Sequence, residues 1–134
     1  MWPIFASAAR WQSGGLAVQI EFPWPDKDLS PNARVHRMTR AAMIRNARGG
    51  AYYIARALLP VGKRWSDKCH LAVEFRPPDR RKRDLDNMLA SIKATLDGLS
   101  DAMGIDDSGW TLTLTRGEHV KGGAVIITIQ EQGE

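Results

Sequence analysis

The chain has 134 residues, a common size for one domain able to bury a core without disulfides. Its single cysteine, Cys69, excludes an intramolecular disulfide framework and points to a reducing compartment, and no apolar run approaches the roughly 20 residues that span a bilayer. The net charge of +4 is unevenly spread: residues 34–83 hold 14 basic and 3 acidic residues, a net of +11, whereas 84–107 hold six aspartates and one lysine, a net of −5.

Residues 1–15 read as a flexible N-terminal extension ending in Ser13-Gly14-Gly15, and without a basic lead-in the apolar start is not expected to be a signal peptide. Apolar residues at Leu16, Val18, Ile20 and Phe22 alternate as in a half-buried strand, which Pro23-Trp24-Pro25 stops because proline cannot donate to a ladder. A loop over 26–36 carries Ser30-Pro31-Asn32 turn chemistry. The spacing of Ala41, Ile44, Ala51, Ile54, Ala55 and Leu58 predicts a helix over 39–59, with Gly49-Gly50 weakening its middle enough that it could form two pieces. Arg37, Arg40, Arg45 and Arg48 would line its polar side. A second strand is expected over 69–75. A second helix over 86–99 would present Met88, Leu89, Ile92, Leu96 and Leu99 on one face, with Gly98 near its C-terminal end. Strands over 110–116 and 124–130 follow, close enough to pair as a hairpin across 118–123. The order β-α-β-α-β-β predicts an α+β fold, a two-layer sandwich with two helices on one face of a four-stranded mixed sheet, in one domain over 16–134.

A basic surface draws in a polyanion, and an acidic block directly after it serves that purpose only by holding cations. Asp84 and Asp86 sit two residues apart where the basic run Arg80-Arg81-Lys82-Arg83 meets the helix, so in extended chain both carboxylates face the same way. Hard oxygen ligands in small number suit magnesium, which shares phosphate oxygens with its substrate. Aspartate also caps helices, but one suffices for a cap, and here a second aspartate and Asn87 follow. Asp106-Asp107 reads by itself first as a plain turn, and as a third carboxylate for the same ion only if the fold brings it to Asp84 and Asp86. Three carboxylates beside a basic loop would form a site for phosphodiester hydrolysis. Lys93, seven residues after Asp86, would fall two turns along on nearly the same helix face and could contact a phosphate. His36, His70 and His119 show no zinc spacing with Cys69, so no structural zinc is expected.

The stretch 78–87, Pro-Asp-Arg-Arg-Lys-Arg-Asp-Leu-Asp-Asn, resembles the signature of RusA-type Holliday junction resolvases, bacterial and phage endonucleases that cut four-way DNA junctions. Phe22-Pro23-Trp24-Pro25 with Ser30-Pro31-Asn32, the segment 93–99, and Ile105-Asp106-Asp107-Ser108 resemble the same family in the same order, covering the chain from Leu16 onward. The resemblance implies a homodimeric enzyme of recombination and repair acting on branched DNA in the bacterial cytoplasm, encoded by the host or by a phage or prophage. It implies Mg2+ as cofactor, with Mn2+ as a substitute. It assigns metal binding and catalysis to Asp84, Asp86 and Asp107, and DNA contacts to Arg80, Arg81, Lys82, Arg83, Asn87, Asn32, Arg34, His36 and Arg37. The family's commonest spacing puts its catalytic lysine at Ala90. Lys93 matches by the sequence that follows it, after an apparent three-residue insertion. The alternatives are a branched-DNA-binding protein without catalysis, for which the missing lysine would be a sign, and a nuclease of broader structure specificity.

Overall fold

The structure, a computed structural model, describes residues 10–12 and 15–131; the expectation for 1–9 and for the hinge at Ser13-Gly14 lies outside the described residues. The four expected strands form one mixed sheet. They run over Gly15–Pro23 (β2), Cys69–Arg76 (β3), Thr111–Arg116 (β4) and Ala124–Glu131 (β5). Arg10–Gln12 (β1), within the expected extension, adds a short strand at the edge, antiparallel to β2, giving the order β1-β2-β5-β3-β4. Alternation in β2, β3 and β5 sends Val18, Ile20, Phe22, Leu71, Val73, Phe75, Val125, Ile127 and Ile129 into one core, each at most 1% exposed. The helices cover that face, contributing Ala51, Ala55, Ile92, Leu96 and Leu99. The opposite face is polar. There the His70 ring bridges two threonines of β4, with Nδ1 2.8 Å from Thr111 Oγ1 and Nε2 3.0 Å from Thr113 Oγ1.

The first helix (α1) runs over Arg37–Leu58, two residues earlier than expected. The reason is an unusual cap: His36 Nδ1 accepts from the Met38 N–H at 3.2 Å, a role sequence patterns assign to Ser, Thr, Asp or Asn. Pro60 ends the helix by forcing Leu59 into extended backbone. The helix is one piece through Gly49-Gly50. Tertiary contacts outweigh the two weak glycines: Arg48 forks onto Asp101 (2.7 and 2.9 Å), and Arg40 donates to the carbonyls of Asp28, Leu29 and Ser30.

The expected second helix is two, Leu85–Ser91 (α2) and Lys93–Met103 (α3). Ile92 breaks it at φ −103°, ψ 14°, where a three-residue hydrogen bond to Leu89 tightens the turn and the side chain enters the core. Gly98 lies inside α3 rather than near its end, packed so closely on α1 that a Cβ there would overlap the Arg48 carbonyl oxygen. The true terminus is Gly104 at φ 71°, where Gly104 donates to Asp101 and Ile105 to Ser100 in a Schellman arrangement.

The expected hairpin between the last two strands does not form. β4 lies parallel to β3 after the helical crossover, and β5 lies antiparallel on the other side of β3. The connection after β4 therefore passes over the end of β3, donating from Gly117 to the Phe75 carbonyl and from Val120 to the Pro77 carbonyl. Pro77-Pro78 halts β3 there and clears the way for the crossing chain.

Candidate nucleic-acid and metal site

The basic loop between β3 and α2 is organised by Asp79. Its carboxylate accepts from the Arg81 backbone N–H at 2.9 Å and from Arg83 Nη1 at 2.8 Å. Arg83 foremost, with the Arg81 amide, holds the Asp79 carboxyl down at about 2, well below the usual carboxylate range. Arg83 is consequently not a free surface cation. Its side chain is 18% exposed, donates also to the Arg81 carbonyl, and lies 5.5 Å over the Trp24 ring. With Arg83 turned inward, Arg80 and Lys82 point out, exposed and with no hydrogen-bond or ion-pair partner among the described residues.

Asp84 follows at the N-cap position of α2, but its side chain makes no capping hydrogen bond, so capping does not account for it. It is exposed and has no partner among the described residues. Asp86, in the first turn, accepts at Oδ1 from the Asn87 N–H at 3.0 Å. A cleft of about 470 Å³ brings together Arg81, Lys82, Arg83, Asp84 and Asn87 on one wall and Trp24, Lys27 and Ser30 on the other. Lys27 and Trp24 were missed in the sequence. Lys27 belongs to a short 3-10 turn over Lys27–Leu29, signalled only by Asp26, which accepts from the Asp28 N–H. Asn32, Arg34, His36 and Arg37 are exposed on the following stretch but do not line this cleft. A larger groove of about 710 Å³ between the end of β2 and α1 is walled mainly by apolar residues such as Phe22, Leu29, Met43 and Ile54. It has no basic residue in its lining, so it lacks the chemistry for a polyanion.

Asp106 caps the turn before β4 by accepting from the Ser108 N–H at 3.0 Å, leaving Asp107 free of that task. Asp107 lies 3.6 Å from Lys93 Nζ, which bonds Asp97 at 2.7 Å. Asp97 first, and then Asp107, hold the lysine above its ordinary value, so at neutral pH it is a fixed cation. Because the helix breaks at Ile92, Asp86 and Lys93 stand in the first turns of two different helices, not two turns apart on one. Among the described residues, no three His, Cys, Asp or Glu side chains are placed to hold a metal ion together. The structure thus places Asp84 in the basic cleft, puts Asp86 in the first turn of α2 rather than in the extended chain expected, and pairs Lys93 with Asp107. The three-aspartate set expected within one ion's reach is not assembled. Asp84 in the cleft fits magnesium, which commonly takes one or two carboxylates and completes its shell with water and substrate phosphate.

No helix among the described residues is long and apolar enough to cross a membrane. No family model matches the chain. It is similar to an uncharacterized protein of Xylella fastidiosa (strain Temecula1 / ATCC 700964), 44% identical over 117 residues, which span 82% of this chain and 74% of that protein. It is similar to the crossover junction endodeoxyribonuclease RusA of Escherichia coli (strain K12), 34% identical over 122 residues, which span 85% of this chain and 94% of that protein. The corresponding endodeoxyribonuclease of Enterobacteria phage 82 is 33% identical over the same shares. With nearly the whole length of these enzymes matched, and a basic loop leading into Asp84 at the start of a helix, the chain belongs to the RusA family of crossover junction endodeoxyribonucleases.

Proposed function

We propose that this protein is a magnesium-dependent endonuclease that resolves four-way DNA junctions by paired nicks, acting in recombination and repair in the bacterial cytoplasm. The observation that carries the reading is the unpartnered Asp84 carboxylate in the same cleft as Arg81 and Lys82. A carboxylate left bare among cations fits a site completed by a further positive ion and by phosphate. Asp84 and Asp86 would hold the metal, with manganese as a substitute; when bound, it would supply Lewis acidity at the scissile phosphate and a hydroxide at neutral pH. Lys82 and Arg80 hold the DNA backbone by charge, and Asn87 offers its amide from the cleft wall. These contacts position the strand without reading its sequence. Lys93 adds a fixed positive charge, oriented by Asp97 and Asp107. Two copies related by a two-fold axis would nick two strands of a junction symmetrically.

The test is a labelled four-way junction incubated with the protein and magnesium. Paired nicks from the wild type, with a loss of about a hundredfold or more in Asp84→Asn, support the reading. Nicks undiminished in that variant would sink the assignment of Asp84. The lack of a three-carboxylate group among the described residues, together with alanine at position 90, favours a second reading, a protein that binds branched DNA without cutting it. Junction binding in magnesium with no strand ever cut would select that reading. Equal cleavage of flaps and linear duplex would select a nuclease of broader specificity.

A further inference from the structure

The basic loop has a second side. Across it from the Asp84 cleft lies another opening of about 440 Å³, walled by the loop residues Asp79, Arg80, Arg81, Lys82 and Arg83 and by the chain leaving β4, Arg116, Gly117, Glu118 and His119. Arg81, Lys82 and Arg83 line both clefts, so the loop stands as a ridge between them. The second cleft has five Lys or Arg residues against two acids, and one of those acids, Asp79, is committed to Arg81 and Arg83. It lacks the carboxylates of Asp84 and Asp86 altogether. Arg116 is exposed and uses Nη1 to donate to the Arg83 carbonyl at 2.6 Å, which orients its guanidinium toward the ridge while leaving its other N–H groups unbonded among the described residues. His119 is exposed and likewise without a partner among the described residues. A cleft dominated by cations, with Asp79 tied to arginines and only Glu118 as a further acid, can bind a phosphate backbone but lacks the paired carboxylates proposed for cutting it.

We propose that this cleft is a second strand-binding subsite, which takes the sugar-phosphate backbone of an uncut DNA strand while the Asp84 cleft takes the strand to be nicked. The inference rests on the DNA reading above. The ridge Arg81-Lys82-Arg83 separates the two strands, with Arg81 and Lys82 as its exposed cations. An unbranched duplex follows one backbone path past the ridge. A branch point presents two diverging strands at once and fills both clefts. Arg116 and His119 would thereby favour branched over linear DNA without touching a base, since phosphate contacts set position and orientation.

The experiment measures binding of a fluorescent four-way junction and of a linear duplex with the same arm sequence, in EDTA so that nothing is cut. The wild type is compared with Arg116→Gln/His119→Gln and with Arg116→Lys. The double variant should lose about tenfold in junction affinity with duplex affinity little changed, and the salt dependence of junction binding should flatten by about one phosphate contact. Arg116→Lys keeps the charge and should retain most of the junction preference. Equal losses on both DNAs, or no loss on either, would overturn the subsite. So would a lysine variant as weak as the double one, because Arg116 would then serve only to hold the loop. If the wild type binds neither DNA, the DNA reading itself fails and the subsite falls with it.

Discussion

At the scale of single residues, the loop 79–83 shows that a basic run is not a uniform patch. Asp79 draws Arg83 inward and leaves Arg80 and Lys82 to solvent. The Asp79 carboxyl is held at about 2 in the folded chain against an ordinary 3.8. A depressed carboxylate stabilises the fold above its unfolded value and loses that contribution as pH falls through the folded one. Its contribution to stability should therefore fade between about pH 4 and about pH 2, whereas in the folded chain Arg83 should leave the Trp24 ring, visible as a change in Trp24 fluorescence, only as the pH passes about 2. Asp79→Asn should weaken junction binding severalfold at pH 7 through loss of loop order, in an assay where Asp84→Asn binds normally. Cys69 shows the opposite environment: burial pushes its thiol up to about 11, so it should react with a thiol reagent at pH 8 only on the timescale of unfolding. The placement of Asp84 directly after the cations of the basic cleft was legible in the sequence because they are neighbours in the chain. Arg116 and His119 were not, because only the passage of the β4–β5 connection over the end of β3 brings them to the loop.

At the scale of elements, glycines with the same sequence appearance have opposite roles. Gly50 in α1 has open space where a Cβ would go, whereas Gly98 in α3 is pressed against the α1 backbone. Gly50→Ala should raise stability by about 0.5–1 kcal/mol through helix propensity. Gly98→Ala should lower it by about 1–3 kcal/mol through overpacking. Urea unfolding of the two variants checks both signs at once. Strand and helix positions were readable from alternation and from the 3.6-residue period, because the core lies on one face of the sheet and the helices cover it. The hairpin expected from 118–123 failed for a reason local patterns do not carry: the short gap fits a turn, but both ladder edges of β3 are occupied, by β4 and by β5. The break at Ile92 was equally hidden, since an isoleucine at a core position reads as uninterrupted helix.

At the scale of the whole molecule, the sheet is held together through its last strand. β5 pairs with β2 on one side and β3 on the other, while β2 and β3 share no ladder. Ile127 at its centre faces Ile20 and Val73 and is fully buried. Ile127→Ala should cost about 2–5 kcal/mol and shift a single cooperative urea transition rather than melting one half of the sheet first. The same placement governs the order of events at the ribosome. Residues 15–116 supply β2, β3, β4 and all three helices, yet until 124–131 emerge β2 and β3 each present a bare edge. The basic loop and Asp84 are synthesised some forty residues before the strand that seats them. A nascent or prematurely ended chain thus carries the cationic run without the scaffold that shapes its clefts, and both clefts take their form all at once, with the final strand.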